Sequence, residues 1–181
     1  MKSKLIWTPT IRLFHWAFVG LIGLNIFVTD PEGSLHPYTG YLVMALIGAR
    51  LYVGFFGSRY ELFKAMPTGL RAVLNHISDI VTKRRLGHAG HSPMGSWMVI
   101  NLLLTVLIVT LSGHLMTTDR FWGEQWPEDL HKLSITWLEA SGVLHICAVF
   151  LESIRTRVNL PASMITGRKE LSSRDRAAKE R

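Results

Sequence analysis

Cysteine is almost missing from this sequence: Cys147 is the only one in 181 residues. That excludes a disulfide framework, a CxxC metal pair and a CxxCH site for covalent attachment of a haem. Cys147 lies within an apolar run, where a small buried core residue is the expectation. Acidic residues are also scarce, 13 against 20 lysines and arginines. No stretch alternates apolar and polar residues as a strand would, and there are no internal repeats or low-complexity blocks. A removable signal peptide is not expected. The first apolar run starts with Arg12, His15 and Trp16, and no small-residue cleavage site follows a short apolar core.

Apolar residues, by contrast, are abundant. A 48% hydrophobic composition points to a membrane protein rather than an ordinary soluble domain. Four windows, at about 11–29, 38–57, 95–115 and 132–152, each approach the roughly 20 residues that a bilayer core requires. Eighteen of the twenty basic residues lie in the N-terminal arm through Arg12, between Arg50 and Arg85, or from Arg155 onward. This bias predicts a multi-pass membrane protein with both termini in the cytoplasm. The net charge of +7 is thus a topology signal, and no nucleic-acid partner is expected. The opposite connections are acidic and aromatic, with Trp122 and Trp126 suited to an interfacial belt.

Between the second and third windows, Pro67 is placed to open an amphipathic helix with Leu70, Val73, Leu74, Ile77, Ile80 and Val81 along one side. The expected fold is therefore an all-α membrane protein, a four-helix bundle with an amphipathic cytoplasmic helix between helices 2 and 3. One domain spans residues 1–170, followed by a charged, solvated tail over 171–181.

Histidines carry the chemistry. His131 and His145 are fourteen residues apart in the fourth window. At about 100° and 1.5 Å per residue they fall within about 40° of one another and about 21 Å apart along the axis. They share a face but approach opposite leaflets. Gly142 lies on the same stripe, where a flat ligand can approach the backbone. Intramembrane imidazoles are costly and point to function inside the bundle, and haem iron is a natural occupant. Each six-coordinate iron needs a second histidine at matching depth, which couples His131 with His36 and His145 with His15. His114, at the depth of His36 and His131, is an alternative ligand.

Several segments together resemble the bacterial cytochrome b561 and Ni/Fe-hydrogenase b-type cytochrome family, related to the membrane subunit of formate dehydrogenase. They are "IRLFHW", "LHPYTGY", "ARLYVGFFGSRY", "GHSPMGSWMV" and "MITGRKE", together with the paired histidines of the fourth window. The resemblance covers nearly the whole chain up to Glu170. It implies a bundle enclosing two non-covalent b haems, with His15, His36, His131 and His145 as iron ligands and a quinone as substrate. It also implies electron transfer between the membrane quinone pool and a periplasmic or membrane-associated redox protein or small donor, in a chain that can form oligomers. Thr8 departs from the family pattern, standing where relatives often carry an acidic residue.

Candidate haem contacts are Arg12, Gly40, Arg50 and Gly142. Arg50 reaches either a haem propionate or, by snorkelling, the inner interface. Asn159, in "NLPASMITGRKE", is the quinone-site candidate at the inner interface near His15 and His145. His76 and His88 are read as surface residues, and His91 as a cap or hydrogen-bonding residue at the start of the third helix. Glu139, about 80° from His131 around the helix, is read as a buried carboxylate that relays protons or satisfies a neighbouring helix. The bis-imidazole pattern favours an electron carrier, as a respiratory subunit or as a stand-alone quinone-linked oxidoreductase of a donor such as superoxide. A histidine-containing proton or ion transporter is the rival class, disfavoured by the apolar third window.

Overall fold

The computed structural model describes residues 2–57, 61–82 and 90–171. In chain order these form β1 (Lys2–Leu5), α1 (Pro9–Phe27), α2 (Leu35–Phe56), α3 (Leu70–Val81), α4 (Pro93–Met116), α5 (Gln125–Thr156), α6 (Leu160–Thr166) and β2 (Arg168–Leu171). Four of them, α1, α2, α4 and α5, are long and apolar enough to cross a membrane. They match the four expected windows, but α5 runs to 32 residues and extends beyond its window at both ends. Pro67 lies ahead of α3, which starts at Leu70 with Gly69 as its N-cap. The tail beyond 171 and His88 lie outside the described residues.

Helix starts follow the local chemistry. Thr8, Ser92 and Asn159 each accept a backbone N–H through the side-chain oxygen, and a proline stands in the first two positions of the helix that follows. The spans pack in series, α1 on α2, α2 on α4 and α4 on α5. Their shared core is Val43, Ile47, Val106 and Leu138, with Phe18, Leu21 and Ile22 of α1 against it. In a bilayer, apolar burial does little to hold helices together, so polar contacts count. Asn101 on α4 accepts from the Trp137 indole of α5 at 3.0 Å and donates to Ser141 at 2.9 Å. Outward-facing residues such as Leu13, Phe27 and Ile154 are exposed and apolar, as a lipid-facing surface requires.

A clasp joins the two chain ends, which the sequence pattern does not signal. β1 and β2 pair antiparallel, Ser3 opposite Glu170 and Leu5 opposite Arg168. The amides of Ile6 and Trp7 donate to the Gly167 carbonyl, and the Trp7 indole donates to Ser163. Gly167 has φ of 76° and ends α6; a β-carbon there would lie 2.8 Å from the Trp7 carbonyl oxygen. Four-residue strands are too short to show alternation, so only tertiary pairing reveals them.

Thr8 does more than its departure from the family pattern suggests. It caps α1 and donates to the Glu61 carboxylate at 2.5 Å. Arg50 is buried rather than snorkelled, donating to the Glu61 carbonyl at 3.3 Å with its guanidinium 4.8 Å from the Phe63 ring centre.

Four other expectations need correction. His76 is buried, because α3 turns it inward towards Glu152 and Arg155 of α5, with Asp79 one turn on along α3, while Leu70, Leu74, Ile77 and Val81 stay exposed. Burial pushes its pKa down, Glu152 and Asp79 oppose that shift, and Arg155 adds to it. Cys147 is exposed, on the side of α5 away from the bundle. Glu139 is exposed too, because α4 packs on the other flank of α5 through Trp137 and Ser141. His91 is not the cap of α4, a role that Ser92 takes; its ring stands edge-on to Trp7 with centres 4.7 Å apart.

Replacing Thr8 with Ala removes a cap and a charge-assisted hydrogen bond, a loss of about 2 kcal/mol. Its thermal midpoint in detergent falls, while Thr8→Ser stays near wild type; an unchanged Thr8→Ala midpoint would contradict this role. The His91 pKa is lowered to about 4, by burial first and then by Arg50, Lys169 and His145. As pH drops from the ordinary value of 6.5 towards 4, the unfolded chain binds a proton there that the folded chain refuses. Stability from this group is complete above that window and is lost through it. A His91→Gln chain therefore shows a smaller drop in midpoint between pH 7.5 and pH 5 than wild type.

Candidate functional site

Four of the eight histidines lie on the spans at the two levels expected for them, and two of these rings stand opposite each other. His36 near the start of α2 and His131 near the start of α5 face each other with ring centres 6.4 Å apart and planes at 79°. His15 near the start of α1 and His145 on α5 lie near enough for an electrostatic interaction, which His145 also has with His91. The expected couples lie at opposite ends of the bundle because α5 contributes to both, fourteen residues apart. The end carrying β1 and β2 holds His15 and His145. His114 joins neither couple; it is exposed on α4, with its Nδ1 3.2 Å from the Tyr41 hydroxyl.

Neighbouring groups fix which nitrogen of each ring faces its partner at the first couple. The His131 Nδ1 lies 3.0 Å from the Val109 carbonyl oxygen and 3.1 Å from the Ser112 hydroxyl. A carbonyl only accepts, so Nδ1 carries the proton and Nε2 keeps its lone pair. At His36 the Nδ1 lies 3.1 Å from the Thr29 hydroxyl, which itself donates to the Asn25 carbonyl at 2.9 Å. With that hydroxyl proton committed, Thr29 accepts from His36, and Nε2 is again the free donor atom. Thr39 ties into the same network by donating to the Asn25 side-chain oxygen at 2.8 Å. These supporting residues were not foreseen, although Ser and Thr one or two turns from an intramembrane histidine are the signal that could have found them.

Gly113 is a second missed residue. A β-carbon there would lie 3.1 Å from the His131 Cε1, so the glycine lets α4 pass close to the ring. Gly40 and Gly142, by contrast, have open space where a β-carbon would stand, with no atom within 4 Å. Arg12, one turn before His15, donates to the Ile165 carbonyl, and its Nε is buried without a partner among the described residues.

The profile of the prokaryotic cytochrome b561 family matches residues 6–167, about nine-tenths of the chain. The chain belongs to the prokaryotic cytochrome b561 family. No curated protein matches it, and no solved structure does. Membership makes this chain a membrane cytochrome that moves electrons through b-type haem.

The residues present fit such a group. Two imidazoles on opposite sides of one iron, with metal–nitrogen bonds of about 2 Å, place their ring centres about 6.4 Å apart. The His36–His131 couple has that separation. Open space at Gly40 and Gly142 admits a flat macrocycle, and the unpartnered Arg12 Nε suits an anionic propionate.

Replacing Gly113 with Val pushes a side chain into His131. Purified Gly113→Val is expected to hold clearly less haem per chain than wild type, with Gly113→Ala between the two. Equal haem content in all three chains would show that the glycine contact does not position the ring.

Proposed function

We propose that this b561-family chain carries electrons across the bacterial inner membrane through two b haems, each held by two histidines. His36 and His131 hold the one towards the periplasm, and His15 and His145 the one towards the cytoplasm. The observation that carries this reading is the 6.4 Å His36–His131 couple, with the lone pair of each Nε2 left for the metal by the hydrogen bonds at Nδ1. β1 and β2 pair at one end of the bundle, and the distribution of basic residues supports a cytoplasmic position for that end.

Held by two histidines, each haem would supply a one-electron couple, which favours electron transfer over substrate activation. The chain's own residues do the rest. Thr29, Ser112 and the Val109 carbonyl hold the ring orientations; Gly40, Gly113 and Gly142 make room; Arg12 offers a cation beside His15. Arg50 is a weaker candidate for such contact, since Glu61 and Phe63 already engage it.

The electron partners in this reading are a periplasmic redox protein or small donor and the membrane quinone pool. A groove of about 320 Å³ at the cytoplasmic end supports placing the quinone there. It is lined by Phe150, Ile154, Arg157, Asn159 and Pro161 among others, starting five residues beyond His145. The Asn159 side-chain oxygen caps α6, which leaves its amide N–H groups to donate to a carbonyl ligand.

Substituting His145 with Ala is the direct test. A reduced-minus-oxidised spectrum of the purified variant is expected to lose one of two low-spin b haems and keep the other. Retention of both would refute the ligand assignment.

A further inference from the structure

The two couples differ in what touches the far nitrogen of each ring. At the outer couple both Nδ1 atoms are hydrogen-bonded, His36 to Thr29 and His131 to Val109 and Ser112. At the inner couple the His15 Nδ1 is buried with no partner, and no hydrogen bond reaches the His145 ring among the described residues. An acceptor at Nδ1–H draws the proton outward and makes Nε2 a stronger electron donor to a metal, which favours the oxidised state. A buried ring without an acceptor gives no such push.

Charge acts in the same direction. Residues 28–34 and 117–132, at the outer end, carry six carboxylates against Arg120 and Lys132. Arg12 lies one turn from His15 at the inner end; the charge of Arg50, buried there, is opposed by the Glu61 carboxylate, so Arg12 is the cation that counts. Nearby negative charge disfavours an added electron, and nearby positive charge favours it.

Resting on the two-couple reading above, we infer that Thr29 and Ser112 hold the outer His36–His131 couple at the lower reduction potential.

The test is a potentiometric titration of the purified haem-loaded chain in lipid nanodiscs, followed by absorbance. Two one-electron steps are expected, and the step that survives in His145→Ala is the lower. Thr29→Val removes one acceptor and shifts the lower step upward by on the order of tenfold in electron partition, about 59 mV for one electron. The upper step stays in place, and Thr29→Ser restores the wild-type value. Ser112→Ala shifts the same step by less, because the Val109 carbonyl remains; it serves if Thr29→Val does not assemble. Survival of the higher step in His145→Ala, or a lower step unmoved by both variants, overturns the inference. A normal two-haem spectrum with the reversed order leaves the ligand reading intact, whereas loss of the low-spin spectrum in the wild type strikes that reading first.

Discussion

One helix, α5, offers two imidazoles from a single face, and the other spans are arranged around that fact. Fourteen residues bring His145 almost back under His131 and set them about 21 Å apart, close to two-thirds of the hydrocarbon thickness. A partner ring must then come from another helix at each level, which His36 and His15 provide from the starts of α2 and α1. Because α1 and α2 run in opposite directions through the bilayer, their first turns lie at opposite faces. In the proposed reading, the same residue type at the start of two consecutive spans therefore serves two separate sites.

Much of this was legible before any coordinates. A bilayer leaves helices as the economical way to satisfy backbone groups, so apolar length alone located the four spans to within a few residues at most ends. Buried imidazoles are expensive enough that their depth and face carried information, and the structure sets the His36 and His131 ring centres 6.4 Å apart. The resemblance read from "IRLFHW", "LHPYTGY" and their companions agrees with the family profile over residues 6–167.

What was missed shares one physical cause. Exposure in a membrane bundle depends on which flank of a helix its neighbours occupy, and hydropathy says nothing about flanks. Cys147 and Glu139 looked like interior residues because they lie in an apolar run, yet α4 covers the other side of α5. His76 looked like surface because it lies in a polar connection, yet α3 turns it towards α5. The clasp of β1 on β2 joins residues more than 160 positions apart through strands too short to leave a pattern. Thr29, Ser112 and Gly113 were invisible for a related reason: a hydroxyl or a missing side chain becomes meaningful only once the ring beside it is placed.

The central claim is that the bundle houses two separate iron sites, one for each imidazole couple. Its most direct measurement is the ratio of non-covalent haem to protein in the purified chain, with electron paramagnetic resonance of the oxidised form. Two haems per chain, both low-spin with bis-imidazole signatures, are predicted. One haem per chain, or a high-spin signal from a five-coordinate iron, would contradict the account.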